Sequence, residues 1–196
     1  AAWYNSLEVA TLLIEKGADI EARDKWGDTA LHDGARKGSV EMVKLLIESN
    51  ADVLARNRKR QRPLHKSAEN DHPETAKLLL GQIPFGRRRK KNRPIDLTDE
   101  SGNTALHVAA EKDSIGILPL LLEAGANIEA QNDDGETPLH RAAWQDSYEV
   151  ARVLLRNRAD DEAIMENGNT PLIMAACADS KRVAALLIEQ GANLEA

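Results

Sequence analysis

The chain contains 196 residues with a formal net charge of −6, and 42% of them are hydrophobic while only 3% are aromatic. This composition predicts a folded protein whose core is built from aliphatic side chains and alanine. The single cysteine, Cys177, excludes an internal disulfide framework and a cysteine-rich zinc site, and no apolar run reaches the ~18 residues that a membrane span needs.

A four-residue motif recurs along the chain and divides it into similar units. It reads TALH at 29–32, RPLH at 62–65, TALH at 104–107, TPLH at 137–140 and TPLI at 170–173, with steps of 33, 42, 33 and 33 residues. Self-similarity at such a period indicates a repeat protein, in which each unit buries its apolar face against its neighbours. The long step is the regular one plus nine residues, so one unit contains an insertion.

Each unit predicts the same elements in the same order. A glycine two residues before the motif indicates a tight hairpin tip, and the motif with its following alanine pair indicates a short first helix. A turn residue that tolerates left-handed backbone follows. Ser39, Ser114, Ser147 and Ser180 come next and are expected to cap a second, apolar helix. In one unit, Pro119 lies inside this second helix, which we expect to be bent or to start late.

In motif and spacing together, the chain resembles the ankyrin-repeat family over its whole length. The resemblance implies an all-α solenoid of helix-turn-helix units with β-hairpin or loop fingers. The motif register gives a partial repeat at 1–23, repeats at 24–56, 57–98, 99–131 and 132–164, and a nearly complete repeat at 165–196. The insertion covers about residues 82–92. Neither end has the polar pattern of a capping repeat, so we expect a piece of a longer protein.

Two basic segments interrupt an otherwise acidic chain. The first is RNRKRQR at 56–62 and the second is GRRRKKNRP at 86–94; together they hold 11 of the 26 lysines and arginines and none of the 32 acidic residues. Stacked helices lie about 8–10 Å apart, which is similar to the Debye length, so we expect the segments to act as one patch. Its residues are Arg56, Arg58, Lys59, Arg60, Arg62, Arg87, Arg88, Arg89, Lys90, Lys91 and Arg93.

Four roles remain open for this basic patch. The first is a solvated loop, and the second is a site for an acidic partner segment or for the protein's own acidic regions. The third is a nuclear-import signal, and the fourth is a site for nucleic acid or anionic lipid. Nucleic acid is disfavoured because such sites interleave aromatic residues with basic ones, and only Phe85 lies nearby.

The resemblance also implies where a partner would bind. Ankyrin-like folds usually bind protein partners through the hairpin tips and first helices on the concave side. Three tryptophans fall at such positions and are candidate anchors, unless each packs on its neighbouring repeat. The predicted partner-binding residues are Trp3, Tyr4, Lys25, Trp26, Asp28, Arg36, Arg58, Lys59, Asp133, Asp134, Trp144 and Gln145.

Nothing in the sequence indicates catalysis. Four histidines belong to the repeated motif, where the resemblance implies structural hydrogen bonds, while His72 is expected to be exposed in a turn. We therefore expect no catalytic residue, cofactor or metal, and a non-catalytic protein-interaction module of the cytoplasm or nucleus. The alternatives are a regulatory or sensor domain of a multidomain enzyme, channel or NTPase, whose acidic and basic halves hold another domain of the same chain, or a nuclear regulator that uses the basic insertion.

Overall fold

The computed structural model describes residues 6–83 and 94–194, and these two ranges form eleven α-helices and one 3-10 turn, without a β-strand. This confirms the all-α architecture. The helices are α1 (Leu7–Glu15), α2 (Ala30–Lys37), α3 (Val40–Glu48), α4 (Pro63–Glu69), α5 (Pro73–Gln82), α6 (Ala105–Glu111), α7 (Leu118–Glu123), α8 (Pro138–Trp144), α9 (Tyr148–Arg156), α10 (Pro171–Cys177) and α11 (Lys181–Gln190); the 3-10 turn is Pro94–Asp96.

The helices form two rows of a solenoid. The inner row consists of the helices that begin at the repeated motif, α2, α4, α6, α8 and α10, and each packs on the next along the row. The outer row is formed by the odd-numbered helices, and each inner helix also packs on the outer helix that follows it. Inner helices approach closely because the alanine pairs, such as Ala109–Ala110 and Ala142–Ala143, are fully buried and have no bulk.

Between an outer helix and the next inner helix, the chain turns at a projecting finger. The fingers are residues 24–28, 57–61, 99–103, 132–136 and 165–169, and each is closed by a backbone hydrogen bond between its first and last residues. They are hydrogen-bonded turns rather than paired strands. A single backbone bond also joins neighbouring fingers; for example, the Arg58 N–H donates to the Trp26 carbonyl over 3.0 Å.

One finger departs from the glycine pattern of the others. Gly102 has φ +77°, and a Cβ there would lie 2.5 Å from the Asp133 nitrogen, so both backbone and space require glycine. In the finger 57–61, the same turn position holds Arg60, which adopts a φ of 56°. Left-handed backbone costs a residue with a Cβ about 1–2 kcal/mol. This finger therefore carries a charged side chain at an energetic cost.

The prediction that serines cap the second helices is wrong. At Ser39, Ser147 and Ser180 the side chain makes no capping hydrogen bond. Instead, the Ser180 hydroxyl donates to the Trp144 carbonyl over 3.3 Å, and the Ser114 hydroxyl donates to the Ala68 carbonyl over 2.6 Å. Both acceptors lie one repeat earlier, so these hydroxyls join neighbouring repeats rather than closing their own helix.

Aspartates from the preceding repeat take over the capping role. The carboxylate of Asp146 accepts hydrogen bonds from the backbone N–H groups of Arg182 and Val183 at 3.1 and 3.0 Å. Asp71 does the same for Gly116 and Ile117 at 3.1 and 2.9 Å. The first pair of bonds satisfies donors in the first turn of α11, and the second pair holds the two residues that directly precede α7.

Two local expectations have clear outcomes. Helix α7 begins at Leu118, and Pro119 lies in its first turn, where the missing N–H is tolerated; the helix therefore starts late, as predicted. His72 is not fully exposed, because it is half-buried and its Nε2 lies 3.1 Å from the Arg36 carbonyl oxygen of the preceding repeat. The position was misread because the contact partner lies 36 residues away in sequence.

Candidate functional site

The fingertips form a row of exposed side chains whose charge changes sign along the solenoid. Each finger presents two exposed residues at equivalent positions. The exposed pair carries a cation in each of the first two fingers and a carboxylate in each of the last three, and the first finger also contains the exposed Asp24. The pairs, in order, are Lys25 and Trp26, Arg58 and Lys59, Glu100 and Ser101, Asp133 and Asp134, and Glu166 and Asn167.

A groove of about 340 Å³ lies at the basic end of this row, between the fingers 24–28 and 57–61 and the inner helices α2 and α4. We call it the basic groove. It brings together six of the residues predicted from the sequence: Lys25, Trp26, Asp28, Arg36, Arg58 and Lys59. Its other lining residues are Asn57, Gln61, Lys66 and Glu69.

The floor of the basic groove is a buried polar contact between two fingers. Asp28 is 5% exposed and Asn57 is 8% exposed, and the Asn57 amide donates to the Asp28 carboxylate over 2.7 Å. Arg36 from helix α2 approaches the same carboxylate, with its Nη2 3.8 Å from Oδ2. Asp28 was predicted to contact a partner, but its carboxylate is engaged inside the fold, where it fixes the spacing of the two fingers.

The inner wall of the groove comes from helix α4, whose contribution was not predicted in full. Lys66 is 8% exposed, and its ammonium lies 3.1 Å from the Glu69 carboxylate. Lys66 directly follows the motif histidine, and Glu69 follows that histidine by four residues, as Arg36 follows His32. Charged residues at these two offsets from the motif were a sequence signal that could have identified the wall.

Several cations around the groove have no internal carboxylate partner. The Lys25 ammonium lies 4.2 Å from the centre of the Trp26 ring, a cation–π contact, and Trp26 as a whole residue remains 57% exposed. Arg56, Arg58, Lys59 and Arg60 are exposed, and none forms an ion pair with a carboxylate of residues 6–83 or 94–194. These positive charges face solvent from two neighbouring fingers.

Arg62, also assigned to the basic patch, lies inside the fold. It occupies the position of the motif threonine before helix α4 and is 7% exposed, and its Nη1 donates to the Thr98 carbonyl over 3.0 Å. Burial lowers the pKa of Arg62 to about 10, so the side chain stays charged at neutral pH. The positive charge of Arg62 therefore lies inside the fold rather than on the exposed surface of the basic patch.

The other end of the fingertip row is acidic. Asp133 and Asp134 are exposed, whereas Glu136 is 6% exposed and accepts a hydrogen bond from the Asn132 amide over 2.7 Å. A second groove of about 220 Å³ lies between the last two fingers and is lined by Asp134, Glu136, Met165, Glu166 and Asn167. Among the residues that the structure describes, no cation lines this second groove, so the two grooves, each between neighbouring fingers, have opposite charge.

Helix α8 carries the remaining predicted contact residues. Trp144 ends the helix with 45% of its side chain exposed, and Gln145 follows it, also exposed. On the same inner face, Arg141 pairs with Glu111 of helix α6 over 2.7 Å and with Glu136 over 3.3 Å. Trp144 lies at the position equivalent to Arg36. The same position of the inner helices therefore contributes a side chain near both ends of the fingertip row.

Other predicted residues lie outside the described residues, so the part that they play stays a prediction. These are Trp3 and Tyr4, and the basic residues Arg87, Arg88, Arg89, Lys90, Lys91 and Arg93.

The motif histidines have both ring nitrogens engaged in the fold. The backbone N–H of Thr29 donates to His32 Nδ1 over 3.1 Å, so the neutral ring carries its proton on Nε2, which donates to the Gln61 carbonyl of the next repeat over 3.0 Å. His65, His107 and His140 form the same bridge. Burial lowers the pKa of all four, to about 4 for His65 and His107.

The described ranges offer little else for chemistry. Within them, no three His, Cys, Asp or Glu side chains come together as a metal site requires. Cys177 is exposed at the end of helix α10. No helix of residues 6–83 or 94–194 is both long and apolar enough to cross a bilayer. The charged fingertip row and its two grooves are thus the most distinctive surface described.

Comparison with known proteins agrees with this geometry. A family model described as ankyrin repeats (three copies) matches residues 1–89, 89–164 and 132–196, which together span the whole chain. No curated protein matches the chain.

Proposed function

The chain belongs to the ankyrin-repeat family, and on that basis we propose that it binds a protein partner across the fingertips and inner helices, without catalysing a reaction. Ankyrin repeats are in general protein-interaction modules. In this chain, neighbouring fingertips are joined through backbone bonds, such as that from the Arg58 N–H to the Trp26 carbonyl, while the side chains of both residues remain exposed. The proposed partner contacts the fingertip row from Lys25 to Asn167.

The observation that carries this proposal is the change of charge along the fingertip row. The first two fingers present Lys25, Arg58 and Lys59, while the fourth presents Asp133 and Asp134, all of them exposed. Exposed charges arranged in this way contribute little to folding, because even an exposed ion pair contributes only about 0–1 kcal/mol. A partner with the opposite pattern would be steered and oriented by it. Trp26 and Trp144 supply exposed aromatic anchors near the two ends.

Site-specific photo-crosslinking tests the proposed face. A photoreactive residue is placed in turn at Trp26, Ser101 and Asn167 on the fingertips, and at Lys44, Lys77 and Arg156 on the outer helices α3, α5 and α9. All six positions are exposed, so the outer set is a matched control. We expect partner adducts from lysate at the fingertip positions and few or none at the outer positions.

The result that contradicts the proposal is equally definite. Adducts of equal yield from outer and fingertip positions would place the partner elsewhere or indicate unspecific capture. A partner that belongs to the same polypeptide would appear as an intramolecular adduct when a longer form of the protein is used, and the binding face would be unchanged.

A further inference from the structure

On the basis of the proposed function, we infer that the basic groove binds a short acidic segment of a partner polypeptide, about six residues long. The segment places carboxylates against Lys25, Arg58 and Lys59 and packs an apolar side chain on Trp26. Nothing in the family fold requires this chemistry, because the charges come from this chain's own fingertip residues.

The charge balance of the basic groove calls for an anionic occupant. Five cations line it, and only two carboxylates, Asp28 and Glu69, accompany them. Both carboxylates are engaged: Asp28 accepts from Asn57 over 2.7 Å, and Glu69 pairs with Lys66 over 3.1 Å. Arg36 is paired with Asp33 outside the groove, so the positive charge that no described carboxylate neutralises is that of Lys25, Arg58 and Lys59.

Contacts within the fold also fix the shape of the basic groove. Its floor is the buried Asp28–Asn57 contact, and its fingers are joined by the Arg58 N–H bond to the Trp26 carbonyl. Lys66 has a side chain that is only 10% exposed, so its pairing with Glu69 is held in place by packing. An occupant meets a preformed site, which lowers the entropic cost of binding.

Trp26 adds an apolar surface that a bare anion would not use. The residue is 57% exposed although the Lys25 ammonium lies 4.2 Å from the centre of its ring. Exposed tryptophan beside cations fits a peptide that alternates carboxylates with at least one aliphatic or aromatic side chain. A polypeptide can supply both chemistries within a few residues.

The sign change along the row sets the length of the acidic segment and favours polypeptide over nucleic acid. Charge reverses at the third finger, where Glu100 is exposed, and Asp133 and Asp134 follow. At about 10 Å per repeat, the first two fingers lie one spacing apart and the third lies about 20 Å from the first, so the acidic segment can be at most about six extended residues long. A nucleic-acid strand or an anionic membrane keeps one sign of charge and would be repelled by the acidic fingers.

Fluorescence anisotropy with defined probes tests the inference. The probe is a fluorescein-labelled peptide of about six glutamates with one leucine among them. The comparison probes are the same peptide with glutamine for each glutamate and an oligothymidine of similar length. At physiological salt, we expect the wild-type chain to bind the glutamate peptide at least about tenfold more tightly than either comparison probe.

Two double variants of equal charge change locate the binding. Arg58→Glu with Lys59→Glu reverses the groove, and Lys44→Glu with Lys77→Glu reverses exposed charges on the outer helices α3 and α5. We expect the groove variant to weaken glutamate-peptide binding by about tenfold and the outer variant by less than about twofold. Trp26→Ala should weaken binding of the glutamate peptide that contains the leucine, and it should leave binding of a glutamate peptide without leucine unchanged. Urea unfolding curves of each variant confirm that the fold is retained.

Each other result overturns the inference. Equal losses in both double variants would show a general attraction to charge, and tighter oligothymidine binding would indicate nucleic acid. Equal affinity for the glutamate and glutamine peptides would show that the basic groove does not select an acidic segment. In that last case, the proposed interaction face still stands if the fingertip photo-crosslinks form, so the two ideas fail separately.

Discussion

At the scale of single residues, the motif histidine joins one repeat to the next. His107 Nδ1 accepts the backbone N–H of Thr104 over 3.2 Å, and its Nε2 lies 2.9 Å from the Glu136 carbonyl oxygen in the following repeat. The ring is fully buried and must stay neutral, because protonating Nδ1 would replace an acceptor with a second donor facing a backbone N–H. The motif therefore links local helix capping to the stacking of repeats.

This arrangement predicts that stability falls in mildly acidic solution. Burial lowers the pKa of His65 and His107 from 6.5 to about 4, so the unfolded chain binds more protons than the folded one between these values. Their stabilising contribution is complete above pH 6.5 and is lost as the pH falls toward 4. By linkage, each histidine should lower the free energy of unfolding by about 2 kcal/mol between pH 7 and pH 5. Urea unfolding at several pH values measures this slope.

The variant His107→Gln provides the control for this pH effect. It should be less stable at pH 7, because the bridge to Glu136 is weakened, but its stability should depend less steeply on pH. The assignment fails if wild type and variant show the same slope between pH 7 and pH 5.

At the scale of elements, each capping aspartate acts on a helix of the next repeat. Asp146 sits in the turn between α8 and α9 with φ 53°, and its carboxylate caps α11 through Arg182 and Val183. A side chain from one repeat thus defines where an outer helix of the next begins. This explains why α7 keeps its place in the stack although Pro119 shortens it: Asp71 still holds Gly116 and Ile117.

Two substitutions at Asp146 separate capping from backbone strain. Glycine and asparagine both tolerate left-handed backbone, but only asparagine keeps an acceptor oxygen. We expect Asp146→Gly to lower the free energy of unfolding by about 1 kcal/mol and Asp146→Asn by less than about half of that. Equal losses for the two variants, measured in urea, would mean that the carboxylate does not cap α11.

At the scale of the whole molecule, stability is distributed along the stack. Six of the seven residues of α6 are buried, whereas only Ala10 is buried in the nine residues of α1. Leu7, Val9, Leu12 and Leu13 of α1 are exposed, so that helix gains little from packing in this chain. In a solenoid, each repeat is stabilised mainly by its neighbours, and α6 has described helices on both sides.

Native-state hydrogen exchange should follow this distribution. We expect backbone amides of α6 and α8 to exchange on the order of 100-fold more slowly than those of α1, because α1 can open without disturbing the central repeats. Mass spectrometry of peptides from the exchanged protein measures the order in which the amides of these helices exchange. Uniform protection from α1 to α8 would show instead that the array opens only as one unit.

The spatial arrangement of the fingertip charges also depends on the stacking of the repeats. Arg58 and Lys59 are adjacent in sequence, but their relation to Trp26, 32 and 33 residues earlier, depends on the stacking of fingers. The burial of Arg62 and Asp28 likewise depends on neighbouring repeats. Charge counting along the sequence treated these two side chains as surface groups, whereas the fold uses both internally.

The sequence alone determined the all-α repeat architecture and the positions of the inner helices. It could do so because the motif, the turn glycines and the apolar runs act through local backbone preferences that repeat every 33 residues. Those preferences are encoded within each unit and need no distant partner to be recognised.

Only the tertiary structure decided where the polar side chains of one repeat meet those of another. The serine hydroxyls, the capping aspartates and His72 all depend on contacts between repeats. Polar side chains choose partners by distance and burial, and a repeat pattern fixes neither until the units are stacked.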